Sequence, residues 1–375
     1  MSLVLSEDQV MIRDEAARLF AEMADSARIR EVLSHDLGHD AQLWARVAGD
    51  LGWCSLTVPE QSRGLGLGAV ETVILMEAAG RRLAPVPLWS TAAFAVALLA
   101  HVSTPEACET WLPRIAAGET IAAVAAPGIS DASGLMGIAA ETENEGYRLS
   151  GRVGPLIDAP VADLLLVIAR MGTGRALFAL RPGQGVEVRR VRSLDGTRSY
   201  GELDLSHVPA MARIDRGDLS EDDWTKVVAT AQLALAAEEV GAARGAMDVT
   251  LAYIADRVQF GRTIASFQAI KHRCARLEID LAEARAMVYG AAANAVSASP
   301  QERLLEALGA RALATDLAFR AAEEAIQLHG GVGFTWEYDP HLYFKRAQAS
   351  AMLLGRQDEH LSTIADIVLR AGVGS

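Results

Sequence analysis

Apolar residues recur at helical spacing through the first third of the chain. Ser6, followed by Glu7 and Asp8 and then by Met11, Ile12 and Ala16, reads as a capped N-terminal helix. Further helices are expected over about Ala41–Leu51, Ala69–Arg82, Thr91–His101 and Pro105–Ala117. The stretch from Pro59 to Gly68, with glycines at 64, 66 and 68, reads as a loop. From Thr120 to about Pro209 the pattern changes to short β-type runs: Tyr147–Val153, Leu164–Ala169, Ala176–Arg181 and Val186–Val191. Asn144-Glu145-Gly146 and Gly172-Thr173-Gly174 supply hairpin turns. Val186 and Val188 alternate with Glu187 and Arg189, as in a strand with one wet face.

Helical spacing returns at Trp224, in longer segments. One runs from about Trp224 to Arg257 and a second from Phe267 to Val296. A third opens on Ser299-Pro300-Gln301-Glu302, a capping box with proline in the first turn, and stops at Gly330-Gly331. A fourth is expected over roughly Leu342–Leu369. Four long helices with short connections predict an antiparallel bundle. The expected fold is mainly α with a central β-domain: an N-terminal helical domain over 1–119, a small β-barrel or sandwich domain over 120–218, and a C-terminal four-helix bundle over 219–375.

Composition narrows the function. With 51% apolar residues, 375 positions suffice for a large core. A formal net charge of -13 argues against nucleic acid and against an anionic membrane surface. It leaves room for an anionic small molecule met by local arginines. Cys54, Cys108 and Cys274 lie far apart in no zinc or redox spacing, and suggest buried thiols in a reducing compartment. The early Glu7 and Asp8 do not fit a secretory leader, and the most apolar run, near Thr91–Val102, is too short to span a bilayer. A cytoplasmic protein is expected. Gly64-x-Gly66-x-Gly68 has the wrong spacing for a dinucleotide fingerprint, and Pro59 interrupts the strand that should precede it. Arg81-Arg82 and Arg189-Arg190-Arg192 read as solvated charge clusters or, alternatively, as contacts for phosphates.

Two segments carry chemistry. Tyr253-Ile254-Ala255-Asp256-Arg257-Val258-Gln259-Phe260-Gly261 is followed by Ile264, Phe267-Gln268 and Lys271-His272. The second is Gln327-Leu328-His329-Gly330-Gly331-Val332-Gly333-Phe334-Thr335-Trp336-Glu337-Tyr338. An arginine at a helix end beside glycine can meet a pyrophosphate through charge-assisted bonds. Phe260 offers an aromatic face, glutamines can read adenine or ribose edges, and Gly330-Gly331 lets backbone N–H groups approach an anion. His329 beside a glycine pair reads as a packed side chain. Both segments resemble signatures of the acyl-CoA dehydrogenase family, as do the helix/β/helix order and the Val58-Pro59-Glu60…Gly64-Leu65-Gly66 loop. The resemblance covers nearly the whole chain. It implies that Arg257, Gln259, Phe260, Gln268, Gln327, Gly330 and Gly331 hold the adenosine and pyrophosphate half of an FAD bound mainly by a neighbouring subunit. It further implies a tetramer, an acyl-CoA substrate, and an acceptor such as an electron-transfer flavoprotein.

The chain also departs from the family. The loop and the Trp-containing strand that meet the flavin ring correspond here to Ala125–Asp131 and Pro155-Leu156-Ile157-Asp158, which do not keep the pattern. Counting on from Phe344-Lys345-Arg346-Ala347 places Leu354 where the catalytic glutamate belongs. A second family position for that base falls on Ala231, 26 residues before Arg257. Abstraction of an α-proton needs a base near the thioester, and neither residue is one. Glu238, seven residues after Ala231, faces nearly the same way but about 10 Å further along the helix axis. It is the candidate base; the competing reading is that Glu238 and Glu239 are solvated or pair with arginine. The resemblance therefore implies an FAD-dependent acyl-CoA dehydrogenase, active alone or as one subunit of a heteromer. Some bacterial members pair unlike chains in this way on bulky substrates such as steroid side-chain CoA esters. The alternative is a non-catalytic partner that completes another chain's flavin site. No metal-ligand spacing stands out.

Overall fold

A computed structural model of the chain describes residues 4–35, 38–126, 137–143, 146–183, 185–217 and 219–373. Side-chain oxygens start the helices. Ser6 accepts from the Gln9 backbone and Gln9 returns the bond, so α1 (Glu7–Met23) opens on a capping box. Asp25 caps α2 (Ser26–Ser34), and Asp40 caps α3 (Ala41–Trp44), which continues as a π-helical turn over Ala45–Asp50. The helix α4 (Ala69–Arg81) follows the glycine loop, and among the described residues no strand precedes it. A second π-helical turn, Trp89–Ala95, leads into α5 (Val96–Val102). Thr104 and Pro105 then open α6 (Pro105–Ala116).

The central sheet contains β1 (Ala122–Ala125), β2 (Ile138–Glu143), β3 (Gly146–Ile157), β4 (Leu164–Met171), β5 (Gly174–Leu180), β6 (Val186–Arg190), β7 (Tyr200–Pro209) and β8 (Ala212–Arg213). They lie in the order β6-β7-β3-β2-β4-β5-β8, with β1 added parallel to β4. Strand β4 is buried on both faces. Leu165 and Val167 join the sheet's own core with Leu149 and Phe178, whereas Leu164, Leu166 and Ile168 join the helical core. That double burial is why Leu164–Ala169 is continuously apolar and not alternating. Gly172, at φ +60°, turns the chain between paired Met171 and Gly174. The turn at 144–145 and most of the Ala125–Asp131 stretch lie outside the described residues.

Ser220 caps α7 (Glu221–Asp256), three residues ahead of the expected start at Trp224. A short hairpin of β9 (Val258–Gln259) and β10 (Arg262–Thr263) leads to α8 (Gln268–Asn294). The expected Ser299/Glu302 capping box opens α9 (Pro300–His329). Helices α4 and α7 cross closely: a Cβ on Gly80 would sit 2.0 Å from the Glu238 carbonyl oxygen, and one on Gly241 2.0 Å from that of Glu77. The expected fourth helix is two helices, α10 (Pro340–Ser350) and α11 (Gln357–Val373). Leu354 at φ +54° and Gly355 at φ +107° end the helical path between them. Among the cysteines only Cys54 is buried; Cys108 and Cys274 are half-buried, and all three are free thiols. Among the described residues no helix is long and apolar enough to cross a membrane.

Five histidines sit where burial disfavours their charged form. His39, His101, His329 and His360 are pushed below the ordinary imidazole value, and His341 is pushed down to about 4. The unfolded chain takes up these protons near pH 6.5, so the folded state loses stability as pH falls below that value. Asp158, pushed up to about 6 by burial, works in the opposite sense and gains stability over the same descent. Burial pushes the Glu239 carboxyl up as well, so five groups against two set the sign. Urea midpoints should therefore fall from pH 7 to pH 5, and His341→Phe should flatten the fall.

Candidate functional site

Two of the sequence-singled segments meet at one end of the bundle. The ring of Tyr253, in the last turn of α7, stacks on His329, the last residue of α9, at 4.2 Å. Tyr338 adds an edge contact to Tyr253 at 5.7 Å. His329 is buried, with Nδ1 2.6 Å from the Ala325 carbonyl, so it is a packed side chain. Beyond α7 the chain extends at Arg257 and turns through Phe260 and Gly261, both at positive φ. This two-residue turn suits the twist of the β9–β10 hairpin and holds Phe260 in solvent, 92% exposed. Arg257, Gln259, Gln268, Gln327, Gly330 and Gly331 are all exposed as well. The side chains of Arg257, Gln268 and Gln327 have no partner among the described residues. Gly330 takes φ +65°, and open space surrounds both it and Gly331. An arginine, amides and an accessible glycine turn suit an anionic nucleotide with a polar base.

The second corner lies where β7, α7 and α10 converge, and it is closed. Ala231 is fully buried, its carbonyl accepting from Trp89 Nε1 at 3.0 Å. Its neighbour Gln232, also fully buried, donates through Nε2 to the Leu354 carbonyl at 2.8 Å. The same Nε2 lies 3.3 Å from His360 Nε2. His360 Nε2 also lies 3.3 Å from the Leu354 carbonyl, so the three groups close on one another. Glu238 is neither solvated nor available. Arg198 donates to its Oε2 at 2.5 Å and Arg346 donates to its Oε1. Arg346 also meets Asp195 at 2.9 Å and the Thr197 carbonyl at 3.1 Å, while Arg198 reaches Ser350 Oγ at 2.8 Å. Glu239 pairs with buried Arg311 and accepts from Thr315 at 2.9 Å.

The halves flanking the sheet match family models: residues 6–119 match the acyl-CoA dehydrogenase N-terminal domain, and residues 225–369 the C-terminal domain. The acyl-CoA dehydrogenase IpdE2 of Mycobacterium tuberculosis is 33% identical over 93% of each chain. The chain belongs to the acyl-CoA dehydrogenase family. Its fold is likewise that of solved members. The ChsE4-ChsE5 complex from Mycobacterium tuberculosis superposes with a TM-score of 0.89 at 27% identity, covering 98% of this chain and 99% of that one. A variant of the Tcur3481-Tcur3483 steroid ACAD gives 0.87 at 29% identity, with the same coverage.

In this acyl-CoA dehydrogenase family member, Glu238 is a buried counter-ion whose carboxylate oxygens are both bound by guanidinium groups. Burial pushes the Asp195 carboxyl up, but Arg346 and Arg198 more than reverse this and hold it below its usual range. Burial pushes Asp158 up to about 6, only partly opposed by the Ser90 hydroxyl at 2.6 Å and by Arg198. Pro155–Asp158 therefore ends in a buried carboxyl beside the cluster. Asp195, Thr197, Arg198 and Arg311 were not singled out by sequence; the one available signal was a charged Asp195-Gly196-Thr197-Arg198 turn between two strands. Of the arginine clusters, exposed Arg189 pairs with half-buried Glu202, and Arg81 with Asp248. Arg81 and Arg82 line a groove of about 1080 Å³ between α1, α4 and α8.

Removing one member of the cluster strands buried charge. Glu238→Ala should lower unfolding free energy by roughly 3–5 kcal/mol, read from urea titration. Replacing Glu238, Arg198 and Arg346 together with apolar residues should recover most of that loss. A single-variant loss below about 1 kcal/mol would show that the cluster contributes little.

Proposed function

We propose that this chain is one subunit of a heteromeric FAD-dependent acyl-CoA dehydrogenase. It would lend Arg257, Gln259, Phe260, Gln268, Gln327, Gly330 and Gly331 to the adenosine and pyrophosphate half of an FAD held mainly by a related chain. One juxtaposition carries the reading: among the described residues, the exposed side chains of Arg257, Gln268 and Gln327 have no protein partner, while both oxygens of Glu238 at the closed corner are bound by arginines. FAD, when bound, accepts the hydride that leaves the β-carbon of an acyl-CoA during α,β-desaturation. The base that takes the α-proton is assigned to the partner subunit, because Leu354 and Ala231 cannot serve and Glu238 is neutralised by two arginines. The stretch that would face a flavin ring, Pro155–Asp158, ends in a buried carboxyl and lacks an aromatic. The residues present therefore suit the nucleotide half of FAD and not its ring.

The similar structures, a steroid ACAD and the ChsE4-ChsE5 complex, support a paired assembly and a bulky, steroid-derived acyl-CoA as substrate. A tetramer of two chain types, an electron-transfer flavoprotein as acceptor and a cytoplasmic location complete the proposal.

The test is visible spectroscopy. The chain purified alone should be colourless. A tagged copy recovered from its native cells should bring a related chain and flavin bands that bleach anaerobically on adding an acyl-CoA. Arg257→Gln should release that flavin without unfolding the chain. One FAD per chain in the isolated protein, reduced by an acyl-CoA, would overturn the division of labour.

A further inference from the structure

We infer that Arg262 is a second cationic arm of the half-site, directed at the diphosphate of the nucleotide that Arg257 meets. The inference rests on the half-site reading above and adds a residue to it. In the hairpin Arg262 pairs with Gln259 and Thr263 with Val258. The Ile264 N–H donates to the Arg257 carbonyl at 2.9 Å, which extends the register by one step. Opposed residues of an antiparallel pair project to the same face, and neighbours along a strand alternate. Arg257, Gln259 and Arg262 therefore share one face, and Val258 and Thr263 take the other.

The direction of Arg262 is fixed by an aromatic. Its guanidinium carbon lies 3.9 Å from the centroid of the Phe267 ring, in the residue before Gln268. Phe260 meets the same ring edge-on at 6.3 Å. Stacking occupies the flat face of the guanidinium and leaves its in-plane N–H donors unused. Among the described residues no carboxylate or carbonyl accepts from them. Arg262 thus stands between Gln259 and Gln268, pre-oriented and unneutralised, in a chain of net charge -13. The diphosphate of a dinucleotide carries a charge on each phosphate. Arg257 alone matches one of them, and a second planar fork on the same face matches the other.

The experiment uses the flavin-loaded assembly recovered on a tagged copy of this chain, stripped of flavin and titrated with FAD and with FMN at low and high salt. Arg262→Gln should raise the FAD dissociation constant about 10- to 100-fold, the range for losing a charge-assisted hydrogen bond. Arg262→Lys should fall between, because it keeps charge without the fork. FMN, which lacks the diphosphate link and the adenosine, should bind all variants alike. The salt dependence of FAD binding should be shallower in Arg262→Gln. Unchanged FAD affinity in Arg262→Gln, with weakened affinity in Arg257→Gln, would overturn the role of Arg262 and leave the half-site reading standing. Unchanged affinity in both variants, or an assembly without flavin, would remove that reading and this inference with it.

Discussion

The carboxylate of Glu238, held between the guanidiniums of Arg198 and Arg346, ties together three parts of the molecule distant in sequence. Arg198 comes from the turn before β7, Glu238 from the middle of α7 and Arg346 from α10. Each of these side chains is less than a tenth exposed. Charges so deeply removed from water are tolerated only when every lone pair and proton finds a partner. The neighbours supply partners: Asp195 and Thr197 accept from Arg346, and Ser350 accepts from Arg198. The orientation of the sheet on the bundle is thus tied to a polar arrangement that tolerates little displacement, whereas the surrounding apolar core would accept a range of shifts.

This constraint has a chemical consequence. A general base must be free to take a proton, and both oxygens of this carboxylate are already bound by guanidinium groups. One side chain cannot serve as the buried tie between sheet and bundle and also as a base beside a thioester. The closure goes further at Gln232, which grips the Leu354 carbonyl and so stabilises the left-handed turn that separates α10 from α11. Stability and catalysis compete for the same few cubic ångströms, and here the buried network occupies them.

What could be read from sequence follows the range of the interactions involved. Local signals succeeded: Ser6 caps the first helix as expected, the Ser299/Glu302 pair closes the capping box that its spacing predicts, and the apolar run Leu164–Ala169 is the doubly buried strand. Strands β1 and β7 were not among the expected runs, the first because Ala122–Ala125 is alanine-rich, the second although Leu203 and Leu205 alternate with Asp204 and Ser206. The break after Ser350 depends on a leucine at positive φ, which its residue type disfavours and tertiary contacts impose. The environment of Glu238 was the hardest to see. Its partners lie 40 and 108 residues away, and helical spacing gives the direction of a side chain but not what it meets. The Arg257 and Gly330 segments were legible because a glycine turn, an arginine and amides make sense chemically even before their neighbours are known.

The distribution of satisfied and unsatisfied polar groups separates the two ends of this molecule. At the Glu238 corner the charges are buried and neutralised within the chain. At the hairpin end Arg257 stands exposed without a counter-ion among the described residues, and glycine leaves the adjoining turn uncovered. A chain with 48 acidic residues could readily have placed a carboxylate beside that arginine. Leaving the cation unpaired costs little in water but gives up a potential ion pair, so it favours an anion supplied from outside. Net charge and local charge thus point in opposite directions, and recognition follows the local one.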